Sequence, residues 1–312
     1  MSSVSNDLQN FLEVVAKVAS SVAESSGSLG ELRGPLESAG LLDLARDTAE
    51  EPDALQWLAH TVRVAAESSP SLGFALAARH AADRALATGT GGAEPTFGLV
   101  VGSSLPVIAA AFEPETVVLL DVETNTVRAI PWAGARAGAR DEQRTGLKRA
   151  ELTTFDLPAS AEESAPATAG SLAEWDMLTG AVLIGIGRRA CRTAGAYVLE
   201  RRQFGVPIAS FAGLRALIAE MELRMDGVEA LFDRALDASG PTESISAAAG
   251  KAVIDTCVDA IQALGGYGYI DEYPVSGLLR DAISVQSRAG GRRLHVSRVA
   301  TRVLGPREVG KP

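Results

Sequence analysis

The 312-residue sequence has only two cysteines, three histidines and few aromatic residues, at 5% of the chain. Cys191 and Cys257 both fall in apolar helical patterns, which favours buried thiols over a disulfide or a metal site. His60, His80 and His295 are scattered without the spacing of metal ligands. We therefore expect neither a disulfide framework nor a metal centre.

The sequence also has no long apolar run and no secretory signal. No apolar stretch is long enough to span a bilayer, and the first seven residues have neither a basic nor an apolar signal region. The net charge of −10 favours solubility and argues against nucleic-acid binding. We expect a cytoplasmic protein with neither a nucleic-acid nor a membrane partner. Basic residues gather towards the end of the chain, where most should lie on a solvated helix face: Arg280, Arg288, Arg292, Arg293, Arg298, Arg302, Arg307 and Lys311.

The pattern of apolar residues predicts a mainly α fold with a small β domain. Residues 5–90 repeat apolar side chains at three- and four-residue steps and form the expected N-terminal helical domain, residues 1–90. Within it, helices are predicted over 55–67 and 72–86, the second capped by Ser69 or Ser71. Residues 97–157 instead show short β-rich runs between turns, which predicts a middle β domain over 91–160.

Residues 161–312 are predicted to form a C-terminal four-helix bundle. A long apolar seam runs from Leu214 to Ala235, and a second helix ends at Gly265 and Gly266, because glycine suits a helix C-terminus. The last helix is predicted to begin near Gly291. Residues 159–171 are rich in Ala, Ser, Pro and Glu and suggest an exposed connection.

Two short motifs carry the functional signal. The first reads Arg201-Arg202-Gln203-Phe204-Gly205, and the second reads Gln262-Ala263-Leu264-Gly265-Gly266. A guanidinium binds a pyrophosphate through paired, charge-assisted hydrogen bonds. Glycine permits close backbone approach to a ligand, and a glutamine side chain both donates and accepts.

In this order, and followed by Arg280-Asp281-Ala282, these motifs resemble the C-terminal helical domain of FAD-dependent acyl-CoA dehydrogenases. The resemblance covers residues 172–304 and agrees with the domain order of that family. It implies FAD as the cofactor and an acyl-CoA thioester as the substrate. It also implies that Arg201 touches the FAD pyrophosphate, with Gln203 and Phe204 beside it. Gln262, Gly265 and Gly266 would bind the adenosine side of an FAD held by the neighbouring subunit.

The resemblance fails at the catalytic base. In many family members a glutamate stands eight residues after the Arg-Asp aspartate, and this position is Ala289, which cannot take a proton. Another branch places the glutamate at the position of Trp175, so Glu174 and Asp176 are alternative base candidates. As acids near a helix N-terminus they would also favour the helix dipole. The two β-domain segments that contact the flavin ring in the family are not recognisable here.

Three hypotheses follow from these motifs and losses. The chain most resembles the subunit without a catalytic glutamate in actinobacterial α2β2 acyl-CoA dehydrogenases of the steroid side-chain type. Such a subunit would support FAD for a catalytic acyl-CoA dehydrogenase partner. The second hypothesis is a self-sufficient homomeric dehydrogenase with Glu174 or Asp176 as a relocated base. The third is a flavin-free relative kept as a binding or structural protein.

Overall fold

A computed structural model of the chain describes residues 5–86, 94–141, 145–157, 165–166, 170–237 and 240–306. The glycines at 89–92, Arg307, Lys311 and most of the connection expected at 159–171 lie outside the described residues. None of the helices described combines the length and the apolar character that crossing a membrane requires.

The N-terminal part is helical, as its apolar periodicity predicts. Ser69 caps α5, because its hydroxyl accepts the N–H of Leu72 at 3.4 Å, while Pro70 occupies the first helical position. The backbone N–H of Ser69 also ends α4, so one residue separates the two helices. The helices are α1 Asn6–Glu24, α2 Arg33–Ser38, α3 Leu44–Asp47, α4 Ala54–Ser68 and α5 Pro70–Ala85.

The β-rich segment forms two small sheets. β1 pairs in parallel with β3, and the first sheet has the order β1-β3-β4-β7, whereas β2-β6-β5 form the second. One long strand was expected near residues 147–155, but Leu147 and Glu151 both adopt left-handed backbone angles, and only Leu152–Thr154 pair. The elements are β1 Pro95–Val100, β2 Val107–Ala109, β3 Thr116–Asp121, β4 Thr126–Pro131, α6 Trp132–Arg136, β5 Arg140–Asp141, β6 Leu152–Thr154 and β7 Ala165–Pro166.

The C-terminal part is a bundle of long helices joined by a short hairpin. The last helix begins at Gly291, as predicted, directly after the left-handed Gly290. A 3-10 turn, Gly265–Tyr269, follows the third helix of the bundle. The elements are α7 Ser171–Glu200, β8 Arg202–Gln203, β9 Val206–Pro207, α8 Ala212–Leu236, α9 Thr242–Leu264, α10 Val275–Arg288 and α11 Gly291–Leu304.

A continuous buried core joins the N-terminal helices, the sheets and the bundle. Trp175 of α7 is almost fully buried between the rings of Phe74 and Phe97, with centroid distances of 5.9 and 4.9 Å. α7 therefore contacts both the N-terminal helices and β1 through one aromatic side chain. The domain limits expected at residues 90 and 160 stay a prediction.

The segment before β6 is fixed to α10. The carboxylate of Asp281 accepts the backbone N–H of Leu147 at 2.6 Å, and Arg280 donates to the carbonyl of Thr145 at 3.3 Å. A Cβ on Gly146 would lie 2.3 Å from the carbonyl oxygen of Arg280, so only glycine fits here. The Arg280-Asp281 pair of the sequence thus attaches the β-rich part to the bundle.

Candidate functional site

The first motif forms a tight hairpin at the end of α7. Arg201 ends the helix, and the pairing of β8 with β9 leaves Phe204 and Gly205 as the two turn residues. Both have positive φ, 50° and 82°, which suits the two-residue turn of a twisted hairpin. The turn projects the Phe204 ring into solvent, where 92% of the residue is exposed.

The second motif lies at the end of α9. Gln262 is exposed on the last turn, and Gly265 has φ 58° and ψ −133°, a conformation that side chains disfavour. A Cβ at either glycine would meet no atom within 4 Å, but Gly266 does not have the positive φ of Gly265. The backbone at Gly266 therefore faces open space, as close approach of a ligand requires.

An aromatic cluster joins the two motifs. The Arg201 guanidinium carbon lies 5.4 Å from the centre of the Tyr267 ring, directly after Gly266. The rings of Tyr197, Tyr267 and Tyr273 lie 5.6 to 6.1 Å apart. With Tyr269, which is 76% exposed, they are all four tyrosines of the chain. The two sequence motifs do not include these tyrosines, although Tyr197 stands one helical turn before Arg201 and the others follow Gly266 closely.

The charge of Arg201 is available to a ligand. Within the described residues its guanidinium makes no ion pair, and its contact is with the Tyr267 face. A cation held against an aromatic ring keeps its N–H donors at the ring's edge. The arrangement fits the pyrophosphate of a dinucleotide, because the positive charge and the glycine backbone lie on one surface.

A cavity lies where β1 meets the end of α10. It has a volume of about 260 Å³ and is lined by Leu99, Val101, Ser104, Leu105, Val107, Ser287, Arg288, Gly290 and Gly291. Typical small-molecule pockets measure about 300–1,000 Å³. Ala289 lies among these lining residues but is itself only 2% exposed. The wall therefore has no carboxylate at the position of the family's base.

Asp176 lies in the core rather than at a free helix end. It is fully buried, and one carboxylate oxygen accepts from Arg298 at 2.7 Å and from Thr242 at 3.2 Å. The other oxygen accepts from Ser246 at 3.2 Å. Burial raises the pKa of Asp176, and the charge of Arg298 opposes this shift. Both oxygens are engaged, so Asp176 joins α7, α9 and α11.

His295 extends this cluster to the end of α10. Its Nδ1 lies 3.2 Å from Arg298, which can only donate, so Nδ1 accepts and Nε2 carries the proton. Nε2 then donates to the carbonyl of Ala289 at 2.8 Å. Burial lowers the pKa of His295, in agreement with a neutral ring. The neutral histidine fixes the backbone at the base position.

Glu174 is also engaged. It lies in the first turn of α7 and accepts from Arg84 of α5 at 2.7 Å, with both side chains mostly buried. Neither acid beside Trp175 therefore belongs to the lining of the cavity at Ala289. The structure does not bring Glu174 and Asp176 together with the motifs at 201–205 and 262–266.

The remaining residues considered from sequence have packing roles. Cys191 and Cys257 are free and buried, as predicted, and burial raises the pKa of Cys191 to about 12. Trp132 is 8% exposed and packs edge-on against Phe155 at 5.5 Å. No cluster of three potential metal ligands occurs in the described part of the chain.

Comparison with known proteins shows which family and which relatives this chain is similar to. Residues 168–304 match the model of the acyl-CoA dehydrogenase C-terminal domain. Benzylmalonyl-CoA dehydrogenase of Aromatoleum aromaticum is 36% identical over 118 residues, which are 36% of this chain and 31% of that protein. An acyl-CoA dehydrogenase of Bacillus subtilis is 32% identical over 129 residues, 39% of this chain and 34% of that protein. The matched segment spans about a third of these curated relatives.

Solved structures extend the likeness to the whole fold. Butyryl-CoA dehydrogenase from Megasphaera elsdenii superposes with a TM-score of 0.75 at 16% identity, covering 96% of this chain and 99% of that one. A steroid acyl-CoA dehydrogenase variant, Tcur3481–Tcur3483, gives 0.72 at 15% identity, covering 95% and 97%. The chain thus has the acyl-CoA dehydrogenase fold, and residues 168–304 match the model of the C-terminal domain of that family.

Proposed function

We propose that this chain is a non-catalytic subunit of a heteromeric, FAD-dependent acyl-CoA dehydrogenase. It contributes the half-site for the adenosine diphosphate part of FAD to a catalytic partner, in an assembly of the α2β2 type. FAD, when bound, supplies the acceptor for the hydride removed from an acyl-CoA thioester. The partner supplies the carboxylate that takes the α-proton.

The observation that carries the proposal is the state of the base position. Ala289 is buried, its carbonyl is occupied by His295, and no acid occurs among the described residues that line the adjoining cavity of about 260 Å³. Glu174 and Asp176 are held in ion pairs with Arg84 and Arg298. A desaturation reaction needs a free base, and these positions do not offer one.

The half-site is retained on the same chain. Arg201 binds the pyrophosphate through its guanidinium, and Gln203 and Phe204 of the hairpin extend the groove. Gln262 orients the adenosine side, and Gly265 and Gly266 let the backbone approach it. The 92% exposed Phe204 and 76% exposed Tyr269 lie beside these residues in sequence, and a partner subunit would cover them. A steroid side-chain thioester as substrate rests on the resemblance to that type of assembly.

Flavin content tests the proposal. The chain should be expressed alone and together with the product of an adjacent reading frame, and the absorption spectrum of each purified sample recorded. We expect little flavin with the chain alone and a yellow complex with the partner. A yellow, active chain without a partner would favour the homomeric alternative, and a colourless complex would favour the flavin-free one.

A further inference from the structure

Another cavity lies beside the N-terminal half of α10, away from the end of that helix at Ala289. Its volume is about 300 Å³, and it opens between the junction of α4 with α5, the segment at 145–149, α7 and α10. Four cationic side chains contribute to its wall: Lys148, Arg149, Arg189 and Arg280. We refer to it as the basic pocket.

Arg149 and Arg189 donate to backbone carbonyls, although the charge of Asp281 also acts on Arg189. Arg149 donates to the carbonyls of Val22 and Gly27 at 2.7 and 2.6 Å, and its buried Nε makes no hydrogen bond within the described residues. Arg189 donates to the carbonyl of Ser68. Neither arginine makes an ion pair in the described part of the chain. Their charges are therefore fixed in place by neutral partners.

The acidic side chains near the pocket do not balance the positive charges of its wall. Asp281 lines the pocket and accepts the N–H of Leu147. Arg280 approaches Asp271 only to 3.9 Å, and the Asp271 side chain is 97% exposed. Four cations therefore face one buried carboxylate, in a chain whose net charge is −10. A concentration of one sign in a cleft focuses the field on ligands of the opposite sign.

The backbone adds to this field. The sixteen-residue helix α5 begins at the pocket, with Ser69 and Ser71 in its wall. The N-terminus of a helix carries a partial positive charge and N–H groups that point outwards. The pocket therefore combines four side-chain cations, serine hydroxyls and a helix terminus.

We propose that the basic pocket binds a small phosphate-bearing anion, either inorganic phosphate or the phosphate of a monoester. The site is separate from the cavity at Ala289, because Arg280 and Arg288 of α10 are eight residues, or about 12 Å, apart along the helix. Its volume admits a phosphate with a small substituent and excludes a whole dinucleotide.

Calorimetric titration of the full chain in a phosphate-free, low-salt buffer tests the site. The probes are inorganic phosphate and glycerol 3-phosphate, a phosphomonoester with a small substituent. Lys148→Gln, at an exposed position, should weaken phosphate binding about three- to fivefold, and Arg189→Gln about tenfold or more. Lys251→Gln, which removes the same charge from an exposed position of α9, should leave the affinity for phosphate unchanged. If Arg189→Gln fails to fold, the comparison of Lys148→Gln with Lys251→Gln still tests the proposal.

The two probes distinguish the sources of the phosphate. Equal affinities assign the site to the free anion, whereas much tighter binding of glycerol 3-phosphate assigns it to a phosphomonoester. Affinity should fall as ionic strength rises in both cases. Absence of binding by both probes at millimolar concentration, or equal losses in Lys148→Gln and Lys251→Gln, would overturn the proposal. Neither result depends on whether the chain holds FAD.

Discussion

The guanidinium of Arg201 lies 5.4 Å from the centre of the Tyr267 ring. One residue ends α7 and the other belongs to the turn after α9, so this contact places two sequence-distant motifs on one surface. Each motif alone has an ordinary structural explanation, as a helix end or a glycine cap. The fit to a dinucleotide depends on their contact, on an arginine that makes no ion pair with the residues that the structure describes, and on the open glycine backbone.

Substitutions at two adjacent glycines should separate an effect on folding from an effect on ligand binding. Gly265→Ala should lower the free energy of unfolding by about 1–3 kcal/mol, because φ is 58° with ψ −133°. Gly266→Ala should leave stability intact, since its Cβ would meet no atom within 4 Å. We expect Gly266→Ala nevertheless to reduce flavin in the complex. Full flavin occupancy in Gly266→Ala would show that no ligand approaches this backbone.

Phe204 should matter for assembly and not for folding. The residue is 92% exposed, so Phe204→Ala should change the free energy of unfolding of the isolated chain by no more than about 0.5 kcal/mol. If the ring enters the interface, its loss should weaken partner binding by about 2 kcal/mol or more. Surface plasmon resonance would measure this, with Phe204→Tyr as the conservative control. Unchanged affinity in Phe204→Ala would place the partner elsewhere.

Asp176 should prove to be a stability residue. Asp176→Asn leaves Arg298 without its carboxylate, and breaking a buried pair of this kind costs about 3 kcal/mol or more. Glu174→Gln, in a partly exposed pair with Arg84, should cost about 1 kcal/mol. Urea unfolding of both variants measures the difference. If Asp176→Asn kept normal stability but abolished a dehydrogenase activity that the unmodified chain or complex shows, Asp176 would instead be a base.

Asp281 should make stability depend on pH. Burial raises its pKa from 3.8 to about 6, so the folded chain binds more protons than the unfolded chain between these values. The free energy of unfolding should therefore fall as pH rises from 4 to 6, by about 2 kcal/mol from this group. Asp281→Asn should lack this component while its oxygen still accepts from Leu147. A difference between the two proteins that stays constant with pH would contradict the assignment.

Local rules predict much of the fold. Helix α4, α5 and α11 begin within about two residues of the predicted positions, because Ser69, Pro70 and Gly290 act through their own backbone and side chains. The short β-rich runs of β3 and β4 likewise form their antiparallel pair. Such signals reside in neighbouring residues and are visible without the tertiary structure.

Other features depend on contacts that the sequence does not display. The strand expected near 147–155 is shortened because Asp281, far along the chain, binds the backbone N–H of Leu147 in a left-handed conformation. Asp176 has the spacing of a helix N-terminal acid, and only the position of α11 shows that Arg298 neutralises it. The basic pocket likewise gathers charges from three segments, residues 148–149, α7 and α10, that are unremarkable one by one.

The central claim is that this chain supplies the arginine and glycine half of a cofactor site to a partner that carries the base. Bound FAD per complex should be measured in the purified heteromer with Arg201→Ala, with Arg201→Lys as the conservative variant and exposed Arg215→Ala as the control. Loss of a charged contact worth about 1.5–3 kcal/mol should weaken FAD binding by about ten- to a hundredfold or more. Arg201→Lys should retain part of the affinity and Arg215→Ala all of it. Unchanged FAD content and affinity in the Arg201→Ala complex would contradict the account.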